Sequence, residues 1–464
     1  GTETGETTQT KSKTETSDST ETGESTQTKS KTGTLSTSTP LATTNASDVT
    51  DTPRYSKSTY TTDTPKVPTR SPLGQRGLFI CTVSVNFKES TLLPADGLCD
   101  IIFYESFYVK NKPLEWNDTG LDHFFELARS MQHTSIGASY SPESGELSAD
   151  VNHGLLHDGL DKLLAMGVKH FGMLDLVGHS DFDSTRLSEG LIVLRDIAEY
   201  ARTRYPDGYI VLGLHFLSDY TFLPLNFFKT LRLTHFIAVT HLTYPLSYYS
   251  SGWVQPMSMM THPANRSYLF LLSIVRNLDC LRYLKKHANV FLYISFSMRG
   301  HYFTVNDASR KDTAGPEGGA QYCLFQPIEK PDDYAYQGDL PPKQVCAEEY
   351  GKYYSYNTTV GAEYTFDPQE NRVLVFDSER GVKEKVCAAL VNNSSLMLSL
   401  AAYDIDYDQD FEACPNLFIG RGAFRRVKAL HFLKGYTPEI HDRVDPVEEC
   451  IAKTYINVGN PCCP

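Results

Sequence analysis

The chain has 464 residues, 40% hydrophobic and 12% aromatic, enough to bury one large α/β core with additions. Its formal charge of -13 at pH 7 argues against a nucleic-acid partner. No apolar run approaches the roughly 20 residues of a membrane span, and ten cysteines with six Asn-x-Ser/Thr sites (Asn45, Asn117, Asn265, Asn357, Asn392, Asn393) fit an oxidising, glycosylating compartment, so the chain reads as an extracellular, secreted monomer.

Residues 1–76 are close to half Ser and Thr, and the unit that begins Thr2-Glu3-Thr4-Gly5-Glu6 recurs at Thr20-Glu21-Thr22-Gly23-Glu24. With no apolar periodicity to bury, this segment reads as a disordered, O-glycosylated stalk. A start at Gly1 in place of Met reads as a chain from which any signal peptide has been removed or omitted.

From Gly77 the pattern changes to short apolar runs separated by helical periodicity, the mark of repeated βα units. Eight strands are expected, at 78–85, 100–104, 134–139, 170–177, 209–214, 235–240, 290–296 and 396–401. Helices are expected at 120–131, 155–166, 188–204, 267–287 and 379–391. Eight such units predict a (β/α)8 TIM barrel spanning 77–436. An open doubly wound sheet would want a Gly-rich phosphate turn after its first strand, and Val85-Asn86-Phe87-Lys88 is not one. A Tyr-rich insertion of about 306–371, small and α+β, lies between strands seven and eight, and residues 437–464 form a Cys-containing tail.

The fourth strand, Phe171-Gly172-Met173-Leu174-Asp175-Leu176-Val177-Gly178-His179, is an apolar run ending in polar loop residues. Alternation puts Asp175, Val177 and His179 on one face, where a carboxylate needs a cleft or barrel mouth. The run resembles the fourth strand of family 18 glycoside hydrolases, the chitinases, whose signature is Asp-x-x-Asp-x-Asp-x-Glu. Further resemblance lies in Cys99-Asp100-Ile101-Ile102-Phe103-Tyr104, in Ser135-Ile136-Gly137-Ala138, in Arg299 to Val305 after strand seven, and in Tyr403-Asp404-Ile405-Asp406. It covers Gly77 to Cys414 and implies disulfides Cys81–Cys99 and Cys346–Cys414, with Cys280, Cys323, Cys387, Cys450, Cys462 and Cys463 left open.

Such enzymes use the substrate's acetamide as nucleophile, a Glu as proton donor and the Asp two residues earlier to orient the acetamide. On that pattern Gly172 replaces the first Asp, Asp175 keeps the second, Val177 replaces the third and His179 replaces the Glu, so no catalytic residue is assigned. Strand six, ending Thr240-His241-Leu242-Thr243-Tyr244-Pro245, lacks the family's Asp, and Ala401 stands where a Trp would support the sugar. The resemblance therefore implies a catalytically inactive binding or modulatory protein for chitin-type glycans or a protein receptor, with Tyr104, Asp175, His179, Tyr244 and Arg299 lining the pocket. The alternatives are an active glycosidase with an acid displaced to Asp181 or Asp183, and a structural mucin-like glycoprotein.

No cofactor or metal is expected. His179, His215, His241 and His301 fall near strand ends, but the parity taken from the family points His241 outward, and no His-x-x-x-His or Cys-x-x-Cys spacing supports zinc. The alternating acids Asp404, Asp406, Asp408, Asp410 and Glu412 lack an EF-hand's Gly and Glu and read as a solvated acidic loop. Arg421 to Leu430 reads as a last basic helix packed on the barrel, and Cys450, Cys462 and Cys463 as part of a disulfide-tied tail.

Overall fold

The computed structural model describes residues 77–84, 86–105, 119–140, 155–178, 184–216, 225–242, 253–261, 273–305, 324–325, 328–329, 337–409, 414, 417, 422–436 and 445–458; the side chains at 119, 155–158, 177–178, 184–189, 216, 227, 337 and 453–458 are outside this description. Eight parallel strands close a barrel: β1 (Ile80–Val83), β2 (Ile101–Tyr104), β3 (Ser135–Ser139), β4 (Val168–Gly178), β5 (Ile210–Phe216), β6 (His235–Ala238), β7 (Phe291–Ser297) and β13 (Ser399–Tyr403), the last pairing with both β7 and β1. Helices α1 (Thr119–Arg129), α2 (Leu155–Ala165), α3 (Ser184–Arg202), α4 (Leu225–Leu231), α5 (Ile274–His287) and α7 (Glu379–Asn392) alternate with them. The short α4 was not expected, and α5 begins at Ile274, where the Ser273 side chain caps its first turn.

Strand alternation sorts the apolar residues into two cores. Ile80, Ile101, Phe103, Leu174, Val211, Ile237, Val239, Tyr293, Ala401 and Tyr403 fill the barrel lumen. Their neighbours in sequence, such as Phe79, Cys81, Ile102, Met173, Leu212 and Phe236, belong to the layer between barrel and helices. Each fully buried Leu, Ile or Phe contributes about 1.5–3 kcal/mol.

Between β7 and β13 stands a second, antiparallel sheet in the order β10-β11-β12-β8-β9, made of β8 (Gly300–Thr304), β9 (Gln337–Leu340), β10 (Ser355–Asn357), β11 (Ala362–Asp367) and β12 (Arg372–Phe376), with the single helical turn α6 (Glu348–Gly351) beside it. The insertion is thus wider than 306–371, because the chain enters the sheet three residues after β7 and leaves it just before α7. Strand eight begins at Ser399, not Leu396: Ser394–Leu396 close a tight 3-10 turn and Met397 takes a left-handed backbone (φ 54°), which breaks an otherwise continuous apolar run.

Disulfides join Cys81 to Cys99, Cys346 to Cys414 and Cys387 to Cys450. The first two are those implied by the resemblance; the third ties α7 to α9 (Pro446–Val458), a helix that the tail contains. Each bridge contributes about 2–4 kcal/mol. Helix α8 (Arg425–Leu433) packs on the barrel, and its Arg426 is fully buried, with Nε donating to Asp408 (2.8 Å) and Nη1 and Nη2 to the Asp377 (3.0 Å) and Met298 (2.6 Å) carbonyls.

Two expectations are corrected here. Three of the acids after strand eight are not solvated: Asp404, Asp406 and Asp408 are buried, and each holds a donor that would otherwise be orphaned, while Asp410 and Glu412 lie outside the described residues. Asp406 accepts from the backbone N–H (2.8 Å) and hydroxyl (2.7 Å) of Ser84, and Asp408 takes the Arg426 guanidinium. Of the overlapping glycosylation sites, Asn392 is exposed, whereas Asn393 is buried with its amide donating to the Ala389 carbonyl (3.0 Å), so the folded chain does not present it. Asn357 is half-buried at the end of β10, and Asn45, Asn117 and Asn265 lie outside the described residues.

Candidate functional site

β4 carries an irregularity that builds the barrel mouth. Its pairing with β5 runs from Met173 opposite Leu212 to Leu176 opposite Leu214, so β4 spends one residue more than its partner. Leu174 points into the lumen and Leu176 into the outer layer. The extra residue is Asp175, and a bulge of this kind re-aims a side chain. Asp175 lies within electrostatic reach of Glu105, Arg299 and Tyr403.

Glu105 follows β2. Ile101 and Phe103 already point inward, and the period of two carries Glu105 to the same face. Arg299 follows β7 and is the hub. Its Nη1 donates to Asp339 (3.1 Å), its Nη2 to the Leu242 carbonyl (2.8 Å), and its Nε faces Asp404 at 3.4 Å. Asp404 also accepts from the Ser297 hydroxyl and holds a left-handed backbone (φ 55°), uncommon outside Gly. The insertion supplies the last members: His301 on β8 stands directly opposite Asp339 on β9 and its Nδ1 donates to that carboxylate (3.0 Å).

The charges do not balance. Burial works against Asp339, yet Arg299 and His301 override it and bring its pKa down to about 2. Burial lifts Asp404 to about 6 even with Arg299 beside it. Burial and then the Asp175 charge push Glu105 well above the usual carboxylate range, and burial raises Asp175 although Glu105 and Arg299 pull the other way. Asp175 Oδ1 is enclosed and accepts no hydrogen bond from an N–H or hydroxyl donor. The two carboxyls therefore titrate as a pair, and burial favours a form of that pair that keeps a proton.

Below this network the lumen is filled. The Tyr403 ring is 1% exposed, and its hydroxyl crosses the barrel to donate to the Leu174 carbonyl (3.1 Å). Gly213 makes this possible, since a Cβ there would lie 2.8 Å from the Tyr403 hydroxyl and 2.1 Å from the Leu174 oxygen. The His241 ring packs on Tyr403 at 4.5 Å, with His215 at 6.2 Å and Nδ1 on the Ser295 hydroxyl (2.9 Å). His241 therefore points inward, correcting the outward assignment: β6 follows its own apolar pattern, with Ile237 and Val239 in the lumen. Burial keeps both imidazoles neutral, His215 down at about 3.

Of the expected pocket residues, Asp175 and Arg299 come together at the mouth. Tyr104 does not; it is buried in the outer layer against Phe124 of α1 (ring centroids 5.4 Å). His179, Tyr244, Asp181 and Asp183 lie outside the described residues, as does the Val177 side chain. Gly172 has no room for a side chain, because a Cβ would sit 2.9 Å from the Val211 carbonyl oxygen. Ala401 is buried mid-strand beneath Tyr403, so β13 offers no aromatic platform there. Among the described residues no three His, Cys, Asp or Glu side chains converge as a metal-binding group. No helix of the described residues is long and apolar enough to cross a membrane.

No protein-family profile matches the chain, and no curated protein sequence matches it. Solved structures do. A mutant of catalytic domain 2 of the Ostrinia furnacalis group II chitinase, in complex with (NAG)5, is similar with a TM-score of 0.55 and 11% identity, over 78% of this chain and 98% of that one. An immunomodulatory active chitinase of Trichuris suis gives 0.54 and 13%, over 77% and 99%. Human YKL-39, described as a pseudo-chitinase with retained chitooligosaccharide binding, gives 0.52 and 12%, over 76% and 98%. At such identities the likeness is one of fold: this chain has the closed (β/α)8 barrel of chitinases and chitinase-like proteins.

Proposed function

We propose that this chain is a family 18 chitinase-like protein that lacks hydrolase chemistry and acts, secreted, as a binding or modulatory protein for N-acetylglucosamine-type glycans. The observation that carries this reading is the barrel mouth: Asp175 stands at it, while Gly172, Val177 and His179 replace the acids that the family's signature places on the same strand. Val177 cannot orient an acetamide, and a His179 imidazole is a poor substitute for the acid, whose loss removes a factor of about 10²–10⁴. Residues 1–76 serve as a glycosylated stalk.

The test pairs turnover with binding. Fluorogenic chitobiose and chitotriose conjugates are expected to stay intact from acidic to neutral pH, while chitooligosaccharides bind the full chain in calorimetry. Robust turnover lost in His179→Gln would refute the reading. A second reading, an active glycosidase with a displaced acid, is favoured by the environment of Glu105, which burial and the Asp175 charge push well above the usual carboxylate range. On that reading turnover exists and vanishes in Glu105→Gln.

A further inference from the structure

The end of the barrel opposite the mouth carries the reverse charge. Helices run back from the mouth, so their last turns meet the N-terminal ends of the strands. There α2 ends on Lys162, α3 on Arg202, α4 on Lys229 and α5 on Lys285, Lys286 and His287. The turns into β4 and β6 add Lys169 and Arg232. These turns adjoin one another. A Cβ on Gly208 would meet the Lys169 carbonyl oxygen at 2.3 Å, the Arg202 guanidinium donates to the Leu231 (3.2 Å) and Arg232 (3.4 Å) carbonyls, and the Phe291 N–H donates to the Thr234 carbonyl (2.9 Å). Lys169, Lys229, Arg232 and Lys286 are exposed and have no carboxylate partner among the described residues. Of the acids on this arc, Asp161 pairs with Arg204 (3.3 Å), Glu199 lies near Arg202, and Asp207 is exposed. One cation per helix end complements the helix dipole, but that does not account for Arg232. Helix α4 closes in a Schellman turn, with the Arg232 N–H on the Lys229 carbonyl (3.2 Å) and the Leu233 N–H on that of Phe228 (3.1 Å). The left-handed residue of such a turn is usually glycine; here it is Arg232 (φ 52°). An arginine there strains the backbone and sets an exposed guanidinium beside Arg202, whose pKa is lowered by burial and then by the Arg232 charge. Neither feature helps the fold.

We infer that this arc, from the end of α2 to the end of α5, is a docking surface for a sulfated polysaccharide. It lies at the other end of the barrel from the mouth and does not depend on what the mouth binds. The cations sit on four separate helix ends about 8–10 Å apart, which suits an extended polyanion and not a single phosphate. Sulfates meet Lys and Arg through charged hydrogen bonds. None of the large apolar side chains exposed among the described residues, such as Ile192, Val275, Tyr354 and Phe432, belongs to these turns. A membrane therefore finds nothing to bury there, and a nucleic-acid base nothing to stack on. The acids of the mouth stand beyond the eleven residues of β4, about 25 Å away. That is several times the roughly 8 Å Debye length, so they do not repel a chain held at this end.

The experiment is binding of the full chain to a heparin oligosaccharide and to its desulfated form over a range of salt concentrations. Heparin should bind at about 0.15 M salt, with an affinity that falls steeply as salt rises. The triple variant Lys169→Gln, Arg232→Gly and Lys286→Gln should bind about tenfold or more weakly, with a salt slope smaller by about one per cation removed. Lys88→Gln, Lys352→Gln and Arg380→Gln together remove as many exposed cations away from the arc and should change little. Circular-dichroism melts check the fold. Arg232→Gly suits the left-handed position and should melt no lower than the unaltered chain. If the triple variant does not fold, this single change carries the test with a loss of about twofold, its share if the three add. No binding of heparin, equal binding of the desulfated form, or an equal loss in the control variant overturns the inference. So does a DNA duplex or a phosphatidylserine vesicle that binds as tightly as heparin.

Discussion

At the floor of the barrel His170 stacks on Tyr209 (4.9 Å), Tyr209 meets His235 edge-on (4.7 Å), and His235 packs on Phe291 (5.2 Å) and Tyr293 (5.6 Å). At the mouth, beyond the other end of β7, Arg299 holds Asp339 and Asp404. Both places bury titratable groups, but the floor leaves them neutral. Burial pushes His170 and His235 down to about 3, and the Lys169 charge beside His170 pushes the same way. The mouth instead keeps a cation among carboxylates, some of which it cannot fully neutralise. Stability needs only the first arrangement; a surplus of one sign at the C-terminal ends of barrel strands is where barrel sites form.

Breaking the hub should have the largest effect. Arg299→Met leaves Asp339 and Asp404 buried without their cation, and removing one partner of a buried pair costs about 3–5 kcal/mol. Urea denaturation at pH 7 measures this. The loss should shrink at pH 4, where Asp404, with a value of about 6, is already protonated. A small, pH-independent loss would mean that the mouth is as neutral as the floor.

The floor should dominate acid unfolding. A histidine at about 3 when folded and about 6.5 when unfolded binds more protons unfolded, so its contribution is intact above pH 6.5 and lost as pH falls toward 3. The slope is about 1.4 kcal/mol per pH unit for each ring. Raised carboxylates run the other way: what Asp404 contributes is full below the unfolded value near 3.8 and lost as pH rises through about 6. His235→Phe should therefore flatten stability between pH 6 and 4 by about 2–3 kcal/mol. An unaltered slope would show that the floor admits water.

Much of this was legible in residues alone. Apolar runs between helical periods gave all eight barrel strands, and Glu105 could have been placed by counting two on from Phe103. His241 was misplaced because its parity was borrowed from a resemblance when Ile237 and Val239 already marked the inward face. The acids at 404, 406 and 408 look like a solvated run because nothing local announces Ser84 or Arg426. Asp339 could not be found at all: its meeting with Arg299 depends on the register of a hairpin inside the insertion, His301 opposite Asp339. Local pattern carries strands and faces; cross-strand partners need the fold.

The smallest effect tests how the mouth is joined to the lumen. The Leu174 carbonyl sits beside the residue that bulges out of β4, between the paired positions Met173 and Leu176, and the Tyr403 hydroxyl donates to it across the barrel (3.1 Å). Tyr403→Phe keeps the ring against His241 and removes one donor, leaving a buried acceptor unpaired, a loss of about 1 kcal/mol. Thermal melting would register it as a modest drop. Combined with Arg299→Met, the two losses should fail to add, because Arg299 and Tyr403 both lie within electrostatic reach of Asp175 and residues that share a partner couple. Additive losses would mean that the bulge is held independently of the charge network, and that Asp175 keeps its place at the mouth without Arg299.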